Sequence, residues 1–409
     1  MIHLWDRKEA KISPFSSAQI KFIFTVQKFI LITSYRILRI FNLFTKSKNS
    51  WVVCPQEIAG VTKMISCAIP DSYSAVLKKN EFYNHSYDYT YNFKRNSLFS
   101  KFVIALVSPI ILAKCTVKYS GFIYVGSEGF LDSRIDSRDF EFRFLKMKNK
   151  SIVCYFVGND IRSNMKMRQR YLLSSEENYS NYLPWVNTMF SSSSYDDIKF
   201  NLARVALKYS GAIFSTQYDQ DSYLEERHYP VSYLYDFKNK FFDNEKFANL
   251  KKERIVIFHA PSSPIIKGTQ VIRTVIKMLE LDGFIFDYIE KIEVSNREVL
   301  EQLSKSHIVI NELYAFMPGV FAIESMAYSC AVLTRADPHF EKSLPIGSEK
   351  AWVVTPSYLL YRNLRSLLEN PESIKTQALN GFNWAKNNAS LQSEGPKLQK
   401  ILENILPLK

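Results

Sequence analysis

The pair Lys267-Gly268 closes the stretch IVIFHAPSSPIIKG at 255–268. Its apolar start reads as a short buried strand, its Pro and Ser residues as a loop, and 270–281 as an amphipathic helix. A strand whose C-terminal end meets a helix N-terminus offers unpaired backbone N–H groups to an anion. Lys267 adds a cation there, and Gly268 lets the backbone come close to a ligand. Ser262 and Ser263 stand in the same loop. That set suits a nucleotide or sugar-nucleotide diphosphate. The plainer alternative is a surface lysine at a helix start, where a cation is mildly unfavourable.

A second stretch, IVINELYAFMPGVFAIESMAYSCAVLT at 308–334, repeats the strand-loop-helix-strand plan. Its loop holds Glu312, Pro318 and Gly319, and Glu324 falls in the early turns of the helical run 321–328. An acid near a helix N-terminus is electrostatically favoured. It can accept hydrogen bonds from a ribose diol, or it can simply cap a solvated helix.

With these two segments in place, residues 255–385 resemble the donor-binding domain of retaining glycosyltransferases of the GT-B fold, specifically glycosyltransferase family 4. HAPSSPIIKGT at 259–269 and ELYAFMPGVFAIESMAYSCAVLT carry the resemblance. It extends to the first half through CYFVGNDIR at 154–162 and ARVALKYSGAIFSTQYDQDSYL at 203–224. The resemblance implies an α/β chain of two Rossmann-like domains facing each other across a cleft. It matches Lys267 to the lysine that grips the diphosphate and Glu324 to the glutamate that binds the ribose hydroxyls. Ser325 then presents its N–H toward the phosphates, beside Gly319. The family's first glutamate falls at position 316, where this chain has Phe316. Glu312 or the backbone of 317–320 then supplies the sugar contact, or the sugar is recognised differently, or the chain is inactive. Glu290 and Ile292, after the strand-like run 284–288, match the loop that holds the nucleobase.

In the first half, GNDIR places Asp160 and Arg162 after the doubly apolar run 151–157, and GSEG at 126–129 places Glu128 after FIYV. Ligands of open parallel sheets bind beyond such strand ends. Asp160 and Arg162 are therefore candidate catalytic residues beside Lys267 and Glu324, with an ordinary Asp–Arg ion pair as the alternative. The family's histidine-bearing segment corresponds here to Phe156-Val157, so no histidine base is expected. The expected reaction moves a sugar from a nucleotide sugar, UDP preferred over GDP, to a saccharide or lipid-linked acceptor in surface-polysaccharide synthesis. No metal and no permanently bound cofactor is expected. The competing readings are another activity on the same fold, a phosphorylase or nucleotide-sugar epimerase, and a non-catalytic partner protein.

A chain of 409 residues suits two domains. The expected division is 1–50, a basic amphipathic segment; 51–235, the acceptor domain; 236–383, the donor domain; and 384–409, a helix returning to the first domain. Strand readings include 211–216 and 351–355. Residues 83–93 read as an edge hairpin or an aromatic loop. Helical patterns in 366–409 are expected to break at Asn380-Gly381 and at 386–393.

The formal charge of +13 asks for an anionic partner. Residues 1–50 hold nine Lys or Arg against one Asp and one Glu, between apolar runs of at most seven residues. A membrane span needs about 20 apolar residues, so this segment reads as a packed helix or as an interfacial one drawn to anionic lipid. The resemblance favours the second, on the cytoplasmic face of the membrane. Nucleic acid is not the expected anion, since neither zinc-finger nor RNP-type patterns occur. Five dispersed cysteines without a CxxC pair suit a reducing compartment.

Overall fold

The computed structural model describes residues 17–41, 48–77, 80, 82–90, 98–224, 228–250 and 254–406. Six strands form the first sheet: β1 (Lys48–Pro55), β2 (Tyr73–Val76), β3 (Tyr89–Thr90), β4 (Tyr119–Val125), β5 (Ser151–Tyr155) and β6 (Ala212–Phe214). Five form the second: β7 (Ile255–His259), β8 (Phe286–Glu290), β9 (Ile308–Ile310), β10 (Ala331–Thr334) and β11 (Val353–Val354). Every pairing is parallel. Parallel strands are buried on both faces by crossover helices, which explains why SIVCY in β5 and IVI in β9 are apolar or small throughout and wholly buried.

The first sheet runs β3-β2-β1-β4-β5-β6 and the second β11-β10-β9-β7-β8. Strand order reverses between β1 and β4 in one and between β7 and β9 in the other. These are the points at which doubly wound sheets open a crevice beyond their strand ends. The two Rossmann-like domains form the GT-B arrangement, and the helix Leu391–Glu403 returns to the first domain. There Gln399 donates to the Ala68 carbonyl, and a Cβ built on Gly395 would lie 3.6 Å from the Ala68 side chain.

Several local expectations change. Residues 351–355 do not form one strand: a helical turn, Ser348–Ala351, precedes the two-residue β11. The Gly381 break is absent, and helix Pro371–Asn388 runs through it. This glycine serves close packing, because a Cβ there would lie 2.7 Å from the Ala351 carbonyl oxygen. Within 83–93, residues 83–88 form a loop, Tyr89–Thr90 pairs in parallel at the sheet edge, and the remainder lies outside the described residues.

The N-terminal segment contains one helix, Ser17–Phe41, with 1–16 and 42–47 outside the described residues. Its inner side packs on the first domain. Gln27 donates to the Ala105 carbonyl at 3.0 Å in helix Leu98–Lys118 and accepts from the Asp132 N–H at 2.9 Å.

Candidate donor and acceptor site

β7 ends at His259, which is buried between two other elements of the second domain. Its Nδ1 lies 2.8 Å from the Ile310 carbonyl of β9, and its Nε2 lies 2.9 Å from Thr269 Oγ1. A carbonyl only accepts, so Nδ1 carries the proton and Nε2 accepts from the threonine. Burial pushes the His259 pKa down to about 4, which keeps this neutral bridge in place at physiological pH. It fixes the start of helix Thr269–Leu281 against the strand ends.

Between them the loop reaches Ser262 and Ser263, makes one turn at Pro264–Lys267, and ends at Gly268 with φ 77°. The left-handed backbone favours glycine there, and a neighbouring Leu313 side chain, 2.8 Å from where a Cβ would stand, adds to the preference. Lys267 is thereby held over the end of β9. Its Nζ lies 2.5 Å from Glu312 Oε2, which also accepts from the Tyr179 hydroxyl of the first domain. Glu312 is buried, while the Lys267 side chain keeps 22% of its surface exposed. The lysine thus has an internal counter-ion and one open side.

Helix Gly319–Ala327 begins at the same crevice, with its loop pinned by Asn311, which donates to the Pro318 carbonyl at 2.7 Å and to Thr334 Oγ1 at 3.0 Å. Glu324 is 3% exposed. Burial pushes its pKa up to about 7, partly offset by hydrogen bonds from Asn296 and the Tyr83 hydroxyl. The Asn296 amide stands 2.9 Å from Glu324 Oε1. Asn296 opens helix Asn296–Leu303, whose Ser295–Glu298 capping box sets its direction. Tyr83 arrives from the first domain, and the neighbouring Phe82 carbonyl accepts from the Asn296 N–H at 2.9 Å.

Lys267, Ser262 and Glu324 line one cavity of about 320 Å³, together with Lys291, Asn296 and Val320. The other predicted residues do not join that lining. Ser263 starts the turn, its carbonyl accepting from the Lys267 N–H. Ser325 is buried, and its hydroxyl donates back to the Phe321 carbonyl at 2.7 Å. Glu290 is tied to Arg273 and accepts from the Tyr288 hydroxyl at 2.8 Å, and Ile292 is partly exposed. Their neighbours Lys291, Glu293 and Val294 face the cavity instead.

A second cavity of about 310 Å³ lies between the domains and shares Ala59, Tyr83, Asn296, Val320 and Glu324 with the first. Gly319 lines it, and its N–H donates to the Tyr233 hydroxyl at 3.1 Å. Asp219 lines it too. Asp219 joins the domains, accepting from Arg162 at 2.6 Å and from the Phe316 N–H at 2.7 Å. Arg162 is itself buried and stacked 4.5 Å from the Tyr179 ring centroid. Asp160 accepts from the N–H groups of Val157, Gly158 and Ile161. Asp160 and Arg162 therefore shape the loop after β5 and hold Asp219, and neither lines either cavity. Glu128 is also away from both. Its carbonyl and that of Gly126 accept from buried Arg138.

At position 316 the aromatic ring is buried, with the Arg335 guanidinium 4.3 Å from its centroid. Arg335 also bonds Glu176 at 2.7 Å and Asp337 at 2.9 Å. A closed cation–aromatic cluster fills this place, and the nearest acid of the loop, Glu312, is already paired.

Tyr83, Asn296, Asp219 and Tyr233 were not singled out by sequence. Asn296 carried a usable signal, lying directly after the N-cap serine of S-N-R-E. The tyrosines carried none, since their role depends on contact between the domains.

No protein-family model matches this chain, and no curated protein matches it in sequence. Its fold is similar to that of several solved structures. Sucrose-phosphate synthase from Thermosynechococcus elongatus is 11% identical, with 88% of this chain and 99% of that chain covered and a TM-score of 0.55. HepE of Anabaena, in complex with UDP-glucose, is 10% identical, with 87% and 99% covered and a TM-score of 0.56. The catalytic domain of starch synthase IV from Arabidopsis thaliana, bound to ADP and acarbose, is 9% identical, with 88% and 99% covered and a TM-score of 0.53. At these identities the likeness is one of fold, extending over both domains.

Among the described residues, no group of three or more His, Cys, Asp or Glu is placed to hold a metal ion.

Proposed function

We propose that this protein is a glycosyltransferase that moves a sugar from a nucleotide sugar, UDP preferred over GDP, to a saccharide or lipid-linked acceptor. The observation that carries the reading is that Lys267, Lys291 and Glu324 line one cavity at the switch point of the second sheet. Two lysines suit a diphosphate, and a buried carboxylate suits a ribose diol. The UDP preference draws support from the similarity to HepE, whose structure holds UDP-glucose.

We further assign retention of anomeric configuration and metal-independent transfer, on the resemblance to glycosyltransferase family 4. In that reaction the acceptor oxygen bonds to the anomeric carbon as the bond from that carbon to the diphosphate oxygen breaks. The acceptor proton passes to a departing phosphate oxygen. Lys267 turns from Glu312 toward the leaving diphosphate and stabilises its growing charge, an effect strongest in a dry cleft.

A place on the inner face of the cell membrane, in surface-polysaccharide synthesis, completes the proposal. It is supported by helix Ser17–Phe41, which exposes Phe22, Phe29 and Phe41 among Lys21, Arg36 and Arg39. No described helix is long and apolar enough to cross a membrane. A non-catalytic partner protein is the second reading, favoured by the pairing of Lys267 with Glu312 and by the closed cluster at Phe316.

The deciding experiment incubates the purified chain with UDP- and GDP-sugars in turn, measures nucleotide release, and measures UDP binding by calorimetry. Sugar-specific release supports the enzyme, and UDP binding without release from any donor supports the partner protein. Absence of nucleotide binding removes both.

A further inference from the structure

The two neighbouring cavities differ in charge. The one that holds Lys267 also holds Lys291. The interdomain one is lined by no lysine or arginine among the described residues, although it borders three carboxylates: Asp219, Asp236 and Glu324. Among the described residues, only Asp219 of these three has an arginine partner. Its remaining wall is largely apolar or aromatic. Ile58, Val61 and Met64 line it from the loop and helix after β1, together with Tyr155, Val231 and Ile323.

An anion placed here meets acidic neighbours and, among the described lining residues, no lysine or arginine, so its lost hydration is not replaced. A neutral ring meets apolar surface and tyrosines, which favour the flat face of a ring. The volume of about 310 Å³ lies at the lower end of the range of about 300–1,000 Å³ for small-molecule sites. That is room for one ring system rather than an oligomer.

We propose that the interdomain cavity binds an uncharged glycoside acceptor through an apolar aglycone, and discriminates against acceptors bearing a carboxylate or phosphate at this position. The inference rests on the transferase reading and narrows its acceptor class. Because the wall shared with the nucleotide cavity includes Glu324 and Val320, an occupant of one cavity lies directly beside an occupant of the other.

The test uses the full chain and two probes that differ at one carbon, 4-nitrophenyl β-D-glucopyranoside and 4-nitrophenyl β-D-glucuronide. Binding of each is measured by calorimetry in the presence of saturating UDP, after UDP binding itself has been recorded. The glucoside should bind about tenfold more tightly or better, a difference of about 1.4 kcal/mol. Methyl β-D-glucopyranoside, lacking the aryl group, should bind more weakly than the aryl glucoside. Val231→Trp should fill the cavity and abolish glucoside binding while UDP binding persists. Met64→Lys, which adds a cation to the wall, should narrow the gap between glucoside and glucuronide, and it serves if the tryptophan variant does not fold. Equal or tighter glucuronide binding overturns the inference, as does failure of the aryl glucoside to bind, or glucoside binding that survives Val231→Trp. UDP binding with any of these results leaves the transferase reading standing, whereas loss of UDP binding removes that reading itself.

Discussion

Glu324→Gln separates a ribose-binding carboxylate from a structural one through its pH dependence. The native carboxyl has a pKa of about 7 because it is buried, against an ordinary value of 4.5. Between those values the folded chain holds a proton that the unfolded chain has released. Stability therefore falls as pH rises through this window, with a slope of about 1.4 kcal/mol per pH unit and a total of roughly 3 kcal/mol. Glutamine does not titrate, so the variant should gain on the wild type from pH 4.5 to 7 and keep a constant lead above. Donor binding has the opposite sign. A ribose diol donates to the ionised carboxylate, so UDP should displace the proton. With the free carboxyl near 7 and the bound one near its ordinary value, affinity should rise about tenfold from pH 6 to pH 8. Calorimetry at pH 6 in two buffers of different ionisation enthalpy should report close to one proton released per UDP. Glu324→Gln controls for the phosphate's own ionisation and should lose this release together with much of the affinity. If wild type and variant release the same number of protons, and their melting midpoints stay parallel across pH, Glu324 neither titrates in this range nor touches the ribose.

Other perturbations test other parts of the site. Lys267→Ala should lower turnover by about 10²–10³ and, by stranding buried Glu312, cost roughly 1–3 kcal/mol of stability. Lys267→Met with Glu312→Gln should restore the melting point but not the rate, and unchanged turnover at saturating donor refutes the assignment. Tyr83→Phe removes a hydroxyl that occupies Glu324, so UDP should bind up to about fivefold more tightly, the worth of one hydrogen bond of about 1 kcal/mol; weaker binding means that Tyr83 stays in the occupied site. Phe22→Ser with Phe29→Ser should reduce recovery on vesicles rich in acidic lipid in a flotation assay, with added salt reducing wild-type recovery too, since exposed charges are screened over about 8 Å at physiological ionic strength. Equal recovery of wild type and variant, or equal recovery on neutral vesicles, refutes membrane docking.

The parts of the fold that were legible in the sequence are those set by local pattern. β5, β7 and β10 stand where short apolar runs meet turn residues, and helix Thr269–Leu281 follows the loop as its spacing requires. Lys267 and Glu324 share one cavity because each follows a strand on one side of the same switch point. The sequence could not show what completes the site across the domain gap. Nothing near Tyr83 in the chain indicates that it meets Glu324, and nothing near Asp219 indicates the Phe316 N–H. Gly381 misled for a related reason. A helix-interior glycine reads as a break, but here it admits the Ala351 carbonyl from another element. Asp160 and Arg162 show the limit of strand-end reasoning. Their position after β5 agrees with a ligand crevice, yet their polar atoms are taken up by backbone groups and by Asp219.

These contacts give the cleft a common character. Lys267 is satisfied by Glu312, Glu324 by Asn296 and Tyr83, and the Gly319 N–H by the Tyr233 hydroxyl. Buried polar groups left without partners are costly, and in each case the protein supplies its own. On the proposed reading, donor binding is then an exchange of partners, and its free energy is a difference between two satisfied states. Such a site gains little from any single contact but loses much from a ligand that displaces a partner without replacing it. Two of these surrogate hydroxyls, those of Tyr83 and Tyr233, belong to segments outside the second sheet and its helices. If the proposed nucleotide takes up Glu324 and the Gly319 N–H, it competes with the Tyr83 and Tyr233 hydroxyls for the same hydrogen-bonding positions.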